Sequence, residues 1–79
     1  MLEEIAMDLI VGQELNGDYL NKIFGTNNIR KYGETEKGTI GETFLICKDP
    51  ESPNHVWSFI LVDVRANWTS YRLIYKYTG

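Results

Sequence analysis

The chain has few of the residues that catalytic and metal sites most often require. It holds one cysteine and one histidine among its 79 residues. A single cysteine forms no internal disulfide, whereas small secreted domains are usually rich in them. One cysteine and one histidine also cannot supply the four ligands of a structural zinc site. We therefore expect neither a disulfide framework nor a bound metal or other cofactor.

Long hydrophobic runs are missing as well. No apolar stretch is longer than that from Phe59 to Val62, whereas a membrane-spanning helix needs roughly 20 residues. The first residues include Glu3, Glu4 and Asp8 rather than the basic region and apolar run of a signal peptide. These features predict a cytoplasmic protein that makes no use of a membrane, with the nucleus or a phage-infected cell as further settings.

Basic residues are outnumbered: eleven acidic and eight basic side chains give a net charge of −3. Non-specific nucleic-acid binding depends mostly on neutralised phosphates, so this balance argues against it, although a local basic patch remains open. The length allows one domain, residues 1–79, with no room for a second core. Aromatic residues make up 13% of the chain, and we expect some of them to be partly exposed.

The clearest local pattern predicts a helix from about Gly17 to Phe24. Asn16 is a favourable N-cap, Asp18 lies in the first turn, and Gly25 stands in the position that commonly follows a helix. The apolar stripe of this helix is Tyr19, Leu20, Ile23 and Phe24. Upstream, apolar residues from Leu2 to Ile10 predict a short, frayed helix that leads into an extended segment ending at Gly12.

Later segments have the composition of strands. The predicted strands are Ile29–Tyr32, Thr43–Lys48, Val56–Val64 and Tyr71–Tyr77, with a glycine-rich loop or irregular hairpin at 33–41. Val56–Val64 is apolar on both faces, which is typical of a central strand covered on each side. These elements predict an α+β fold: a small curled antiparallel sheet, partly closed into a barrel, with one short packed helix.

The last predicted strand alternates in character. Its predicted buried face carries Tyr71, Leu73, Tyr75 and Tyr77, and its wetter face carries Arg72, Ile74 and Lys76.

Two stretches of the sequence resemble a known protein family. Residues 11–25 read VGQELNGDYLNKIFG, and the chain ends in YTG. This is similar to the accessory N-terminal domain of some HNH-type restriction endonucleases and related DNA-modification readers, which are SRA- or PUA-like. There, a VGQ turn leads to a helix ending in FG, then to a polar turn with an isoleucine (here Ile29) and a hydrophobic strand (here 44–46).

The chain also departs from that family. Its loop between Ile29 and Phe44 is longer, and it lacks the nuclease itself, with no second histidine and no zinc cysteines. The resemblance therefore implies a DNA-reading module that does not cleave.

No residue predicts catalysis. His55, after Pro53 and Asn54, is expected to be a solvent-facing loop residue, and Cys47 is expected to be a small core side chain. Three acidic residues flank glycines in a segment that we interpret as a solvated loop: Glu34, Glu36 and Glu42. We expect the protein not to be an enzyme.

Two clusters are candidates for ligand binding. They are Arg30, Lys31 and Tyr32 after the helix, and Arg65, Asn67 and Trp68 in the last loop. Basic side chains contact phosphates, and an exposed aromatic ring stacks on a flipped or single-stranded base. The alternative is that Arg30 and Lys31 pair with Glu34 and Glu36, and that Trp68 caps the core.

Two functions remain open from the sequence. The first is a reader of DNA, of a modified or flipped base, associated with restriction or defence. The second is a small phage- or plasmid-encoded protein that binds or inhibits another protein. Tyrosines exposed on an edge strand would also favour a homodimer.

Overall fold

Two short helices and five strands follow one another along the chain. The structure, a computed structural model, describes residues 2–33 and 43–78. The elements are α1 (Leu2–Met7), β1 (Glu14–Asn16), α2 (Gly17–Phe24), a 3-10 turn (Thr26–Asn28), β2 (Ile29–Tyr32), β3 (Phe44–Asp49), β4 (Ser52–Val64) and β5 (Thr69–Tyr77).

The strands form one antiparallel sheet. Its order is β1-β5-β4-β3-β2, so β2 to β5 are a meander and β1 is added at the far edge. β1 and β2 are the two edges, and the sheet is not closed. The predicted α+β class, with an antiparallel sheet and a short helix, is confirmed. Its partial closure into a barrel stays a prediction.

The α2 helix has the predicted bounds and the predicted cap. The Asn16 side-chain oxygen accepts a hydrogen bond from the Asp18 backbone N–H at 2.7 Å, which satisfies one of the free donors at a helix start. At the other end, Gly25 has a φ of 84°, a value that favours glycine. Leu20, Ile23 and Phe24 are buried and form the contact with the sheet, whereas Tyr19, the fourth residue of the predicted stripe, is 44% exposed.

Among the described residues, the core lies between the two helices and one face of the sheet. Alternate residues of β4 are buried there, namely Trp57, Phe59 and Leu61. The Trp57 indole N–H donates to the Ala6 carbonyl of α1 at 2.9 Å, which places α1 on the same face as α2. The prediction of a central strand is confirmed. The residues between are half-buried and no described helix lies over them, so cover on both faces stays a prediction.

A β-bulge divides β5 into two halves. Leu73 pairs with Phe59 and Tyr75 with Ser58, so Ile74 is an additional residue without a partner on β4. The alternation of faces reverses at this point. The prediction that Tyr75 and Tyr77 are buried with Leu73 is therefore wrong: they are 53% and 50% exposed.

Lys76 takes the place on the core side that the tyrosines were expected to occupy. It pairs with Trp57 across β4 and β5. Its ammonium group donates to the carbonyl oxygens of Met7 at 2.5 Å and Leu9 at 2.8 Å. Lys76 therefore ties the end of α1 to the sheet.

The segment between α1 and α2 departs from the predicted extended chain. Residues 11–12 form a turn, and the strand begins later, at Glu14. The Gly12 N–H donates to the Leu73 carbonyl, and the Leu73 N–H donates to the Gln13 carbonyl. This pairing extends the β1 edge along β5. Of the predicted loop at 33–41, residues 34–41 lie outside the described residues.

Candidate functional site

The face of the sheet opposite the helices carries the candidate site, and we call it the open face. Side chains of a strand alternate between faces, so the residues that alternate with the core identify it. Its central members are Arg30, Tyr32, Phe44, Ile46, Lys48, Val56, Ser58, Ile60, Arg72, Tyr75 and Tyr77.

Strand register places these residues in rows across the sheet. One row is Tyr75, Ser58, Ile46 and Arg30, and the next is Arg72, Ile60, Phe44 and Tyr32. Aromatic rings therefore stand at both sides of the open face, with half-buried aliphatic side chains between them.

A cleft lies at the β2 side of the open face. Its volume is about 330 Å³, and it is lined by Asn27, Asn28, Arg30, Tyr32, Ile46 and Lys48. This is at the small end of the range of ligand pockets, about 300–1,000 Å³. The lining combines two cations, one aromatic ring, two amides and an apolar side chain.

The two cations of the cleft, Arg30 on β2 and Lys48 on β3, are diagonal neighbours on paired strands. Arg30 pairs with Ile46, and Lys48 is two residues further along β3, a diagonal separation of about 7–8 Å. Neither forms an ion pair within residues 2–33 and 43–78. In contrast, Arg72 is neutralised by Glu14, with a nitrogen–oxygen distance of 2.8 Å. Within the described part of the chain, Arg30 and Lys48 therefore carry the charges of the cleft without an acidic partner.

Lys31 belongs to the other face. It pairs with the buried Leu45, and it lines a second cavity of about 240 Å³ beside α2, together with Asp18 and Tyr71. Strand alternation therefore places Lys31 on the opposite face from Arg30 and Tyr32, with which it was predicted to group. The expected pairing with Glu34 and Glu36 concerns residues outside the described part of the chain.

The second predicted cluster lies at the β4–β5 hairpin. The Arg65 Nε is 3.1 Å from the Asp63 carboxylate, and its guanidinium carbon is 5.7 Å from the centre of the Trp68 ring. Trp68 is 42% exposed and outside the buried core, so the alternative in which it caps the core is wrong. Asn67 is exposed in the turn itself.

The two predicted clusters do not form one site. Arg30 pairs with Ile46, and Ile46 pairs with Ser58, so Arg30 and Ser58 lie in the same row of the sheet. β4 ends at Val64, six residues beyond Ser58. That is about 20 Å of extended chain. Arg30 and Tyr32 instead gather with Lys48, which sequence reasoning missed. The sequence does show that Lys48 alternates with Phe44 and Ile46 and so shares their face of the strand. Only the pairing of β2 with β3 brings Lys48 beside Arg30.

Cys47 and His55, the two candidates for catalysis, lie in different surroundings. Cys47 is fully buried opposite Trp57, as predicted, and burial raises the pKa of its thiol from 9.0 to about 12. His55 is not a loop residue, because β4 starts at Ser52. It is half-buried, its ring centre lies 6.2 Å from that of Trp57, and its Nδ1 has no hydrogen-bond partner in the described structure.

Among the described residues, no three His, Cys, Asp or Glu side chains are grouped so that they would hold a metal ion. None of the helices in that part of the chain has the length and apolar character that crossing a membrane requires.

Comparison with known proteins gives no relatives. Protein-family models, curated proteins and solved structures all yield no match to the chain.

Proposed function

We propose that this protein is a non-catalytic binding module that holds nucleic acid on its open face, with an unstacked base in the cleft beside β2. The observation that carries the proposal is the cleft itself, where Arg30, Lys48 and Tyr32 surround one cavity. The ligand would be DNA with a single-stranded, flipped or modified base.

The charges of the cleft suit a phosphate. The whole chain carries a net charge of −3, but the described residues that line the cleft include two cations and no acidic side chain. Guanidinium and ammonium groups bind phosphate through charge-assisted hydrogen bonds. A local site of this kind is compatible with an acidic protein, because two contacts suffice to position one nucleotide.

The aromatic ring supplies the other half of the interaction. Tyr32 is 51% exposed on an edge strand, where a base can reach it without displacing core residues. Stacking on such a ring contributes about 1–3 kcal/mol per base and tolerates any base. A base inside duplex DNA is unavailable for stacking, so the cleft would favour single strands or an extruded base.

The resemblance of residues 11–25 to the accessory domain of HNH-type restriction endonucleases supports DNA as the nucleic acid. It also suggests a setting in restriction or defence, which we include in the proposal. In this protein the resembling segment folds as the 11–12 turn, β1 and α2. It supports the sheet from the core side, while the cleft lies on the other face.

Fluorescence anisotropy with labelled oligonucleotides tests the proposal. Short single strands, a matched duplex and a duplex with one modified or unpaired base would be titrated at low salt. The variants are Tyr32→Ala and the double variant Arg30→Ala/Lys48→Ala. Lys31→Ala is the matched control for charge on the same strand, and Tyr19→Ala, on α2, is the control for an exposed tyrosine.

We expect binding of single strands or of the unpaired base, with little binding of the matched duplex. Tyr32→Ala should weaken binding about 5–150-fold, which corresponds to 1–3 kcal/mol. Two phosphate contacts predict a shallow salt dependence, with a slope of about −1.4 for a single strand. No binding of any oligonucleotide, or an equal loss in Lys31→Ala and Tyr19→Ala, would overturn the proposal.

A second candidate function is capture of a protein partner, or of a second copy of this chain. It is favoured by the other side of the open face, where Ile74, Tyr75 and Tyr77 are all exposed away from the cleft cations. Tyrosine is enriched at protein interfaces. A partner or dimer that Tyr75→Ser/Tyr77→Ser abolishes and Arg30→Ala/Lys48→Ala retains would support this function over the first.

A further inference from the structure

Each cation of the cleft shares a row of the open face with a tyrosine of β5. The first row is Arg30, Ile46, Ser58 and Tyr75, and the second is Lys48, Val56 and Tyr77. The two rows are neighbours, because successive members on β4 are two residues apart. The cleft and the two tyrosines are therefore opposite ends of one strip across the sheet.

The strip suits a polyanion along its whole width. None of the residues that form its two rows is acidic, although the chain as a whole carries a net charge of −3. The side chains between the cations and the tyrosines are Ile46, Val56 and Ser58, all half-buried. A chain of phosphates that starts at Arg30 and Lys48 meets no carboxylate of these rows on its way to β5.

The tyrosine end of the strip offers rings for stacking. Tyr75 and Tyr77 are 53% and 50% exposed, and in the described part of the chain neither ring contacts another ring or a cation. β1 and the turn before it pair with β5 no further than Leu73. An exposed ring of this kind stacks on a base of any type.

The spacing of the rings defines a length. Tyr32 on β2 and Tyr75 on β5 are three strand spacings apart and stand in neighbouring rows. Three spacings of about 4.8 Å and one row of about 7 Å place their Cα atoms roughly 16 Å apart. Consecutive stacked bases are only about 3.4 Å apart, so neighbouring bases cannot reach both rings. A strand of about four nucleotides can, which is the lower end of the roughly 4–16 that one OB fold binds.

We propose that the open face binds a single-stranded segment of DNA, with one base on Tyr32 and a second base on the Tyr75–Tyr77 pair. The phosphates next to the first base lie at Arg30 and Lys48, and the strand continues along the two rows to β5. A single base flipped out of a duplex fills only the cleft, so an unpaired segment is the better substrate. This inference rests on the proposed function.

Titrations with the dinucleotide dTdT and with oligo(dT) of about six nucleotides test the second position, because only the longer strand reaches both ends. NMR chemical shifts would measure the binding, since they also report weak complexes. Tyr75→Ala/Tyr77→Ala should weaken binding of the longer strand about 5–150-fold, and binding of the dinucleotide much less. Tyr32→Ala should weaken the binding of both.

Two controls identify the ring as the cause. Tyr75→Phe/Tyr77→Phe keeps both rings and should retain tight binding of the longer strand, and Tyr19→Ala removes an exposed tyrosine of α2 and should change neither affinity. Circular dichroism would establish that all variants are folded.

The outcomes separate the second position from the proposed function. Unchanged binding of the longer strand by Tyr75→Ala/Tyr77→Ala, or an equal loss for the dinucleotide, overturns the second position and leaves the proposed function standing. Unchanged binding together with loss of a dimer or protein partner would assign the two tyrosines to a protein contact instead. No binding of any oligonucleotide overturns both.

Discussion

Replacing Lys76 with methionine should detach α1 from the sheet. Methionine keeps most of the apolar stem and removes the ammonium group, which bonds to the Met7 and Leu9 carbonyls. A hydrogen bond to a charged group contributes about 1.5–3 kcal/mol. Both carbonyls are only part-buried and would regain water in the variant, so we expect a net loss of about 2 kcal/mol rather than the full sum.

The loss should be visible at Trp57. Its indole N–H donates to the Ala6 carbonyl, so it is protected from exchange only while α1 is docked. A change of about 2 kcal/mol corresponds to roughly 30-fold faster indole exchange when opening and closing are fast relative to exchange. NMR would measure this exchange, with the exposed Trp68 indole as the internal reference and urea unfolding giving the global free energy.

Lys22→Met is the matched control, because Lys22 is an exposed lysine on α2 without an ion pair in the described structure. The reasoning is refuted if Lys76→Met and Lys22→Met destabilise equally, or if Trp57 exchange is unchanged in Lys76→Met.

Three further perturbations test the core. Phe59→Ala should lower the free energy of unfolding by about 2–5 kcal/mol, because Phe59 is fully buried; a loss below about half a kcal/mol in urea unfolding would contradict that placement. Burial raises the pKa of Cys47 from 9.0 to about 12, so its stabilisation is present below pH 9 and is lost as the pH rises toward 12. By pH 10 the wild type should lose about 1 kcal/mol more than Cys47→Ala, and parallel pH profiles would refute this. A Cβ on Gly17 would lie 2.6 Å from Thr69 Oγ1, so Gly17→Ala should cost about 1–3 kcal/mol, and Thr69→Ala should restore most of it in a thermal melt.

Local signals in the sequence predicted the helix and most strands, because their causes are local. The bounds of α2 follow from Asn16, Gly25 and the apolar stripe between them, all within ten residues of chain. β1 was missed because two of its three residues, Glu14 and Asn16, are polar. Only pairing with Arg72, Tyr71 and Ser70 makes them a strand.

The candidate site was less accessible to the same reasoning. Tyr32 and Arg30 were identified by residue type, but Lys31 was grouped with them although strand alternation places it on the other face. Lys48 was missed because its proximity to Arg30 depends on the register between β2 and β3. Residue type indicates what a side chain can bind, whereas register decides which side chains bind together.

The bulge at Ile74 has a consequence for how this surface can change during evolution. One additional residue sets which of the following side chains face outward, so deleting it would exchange their positions as a set. Tyr75 and Tyr77 would turn toward the helices, and Lys76 would be released into solvent. Loss of one codon would therefore change the facing of three side chains at once and remove the contacts between Lys76 and the end of the first helix. Insertions and deletions at this position should be rarer than the exposure of Ile74 alone suggests.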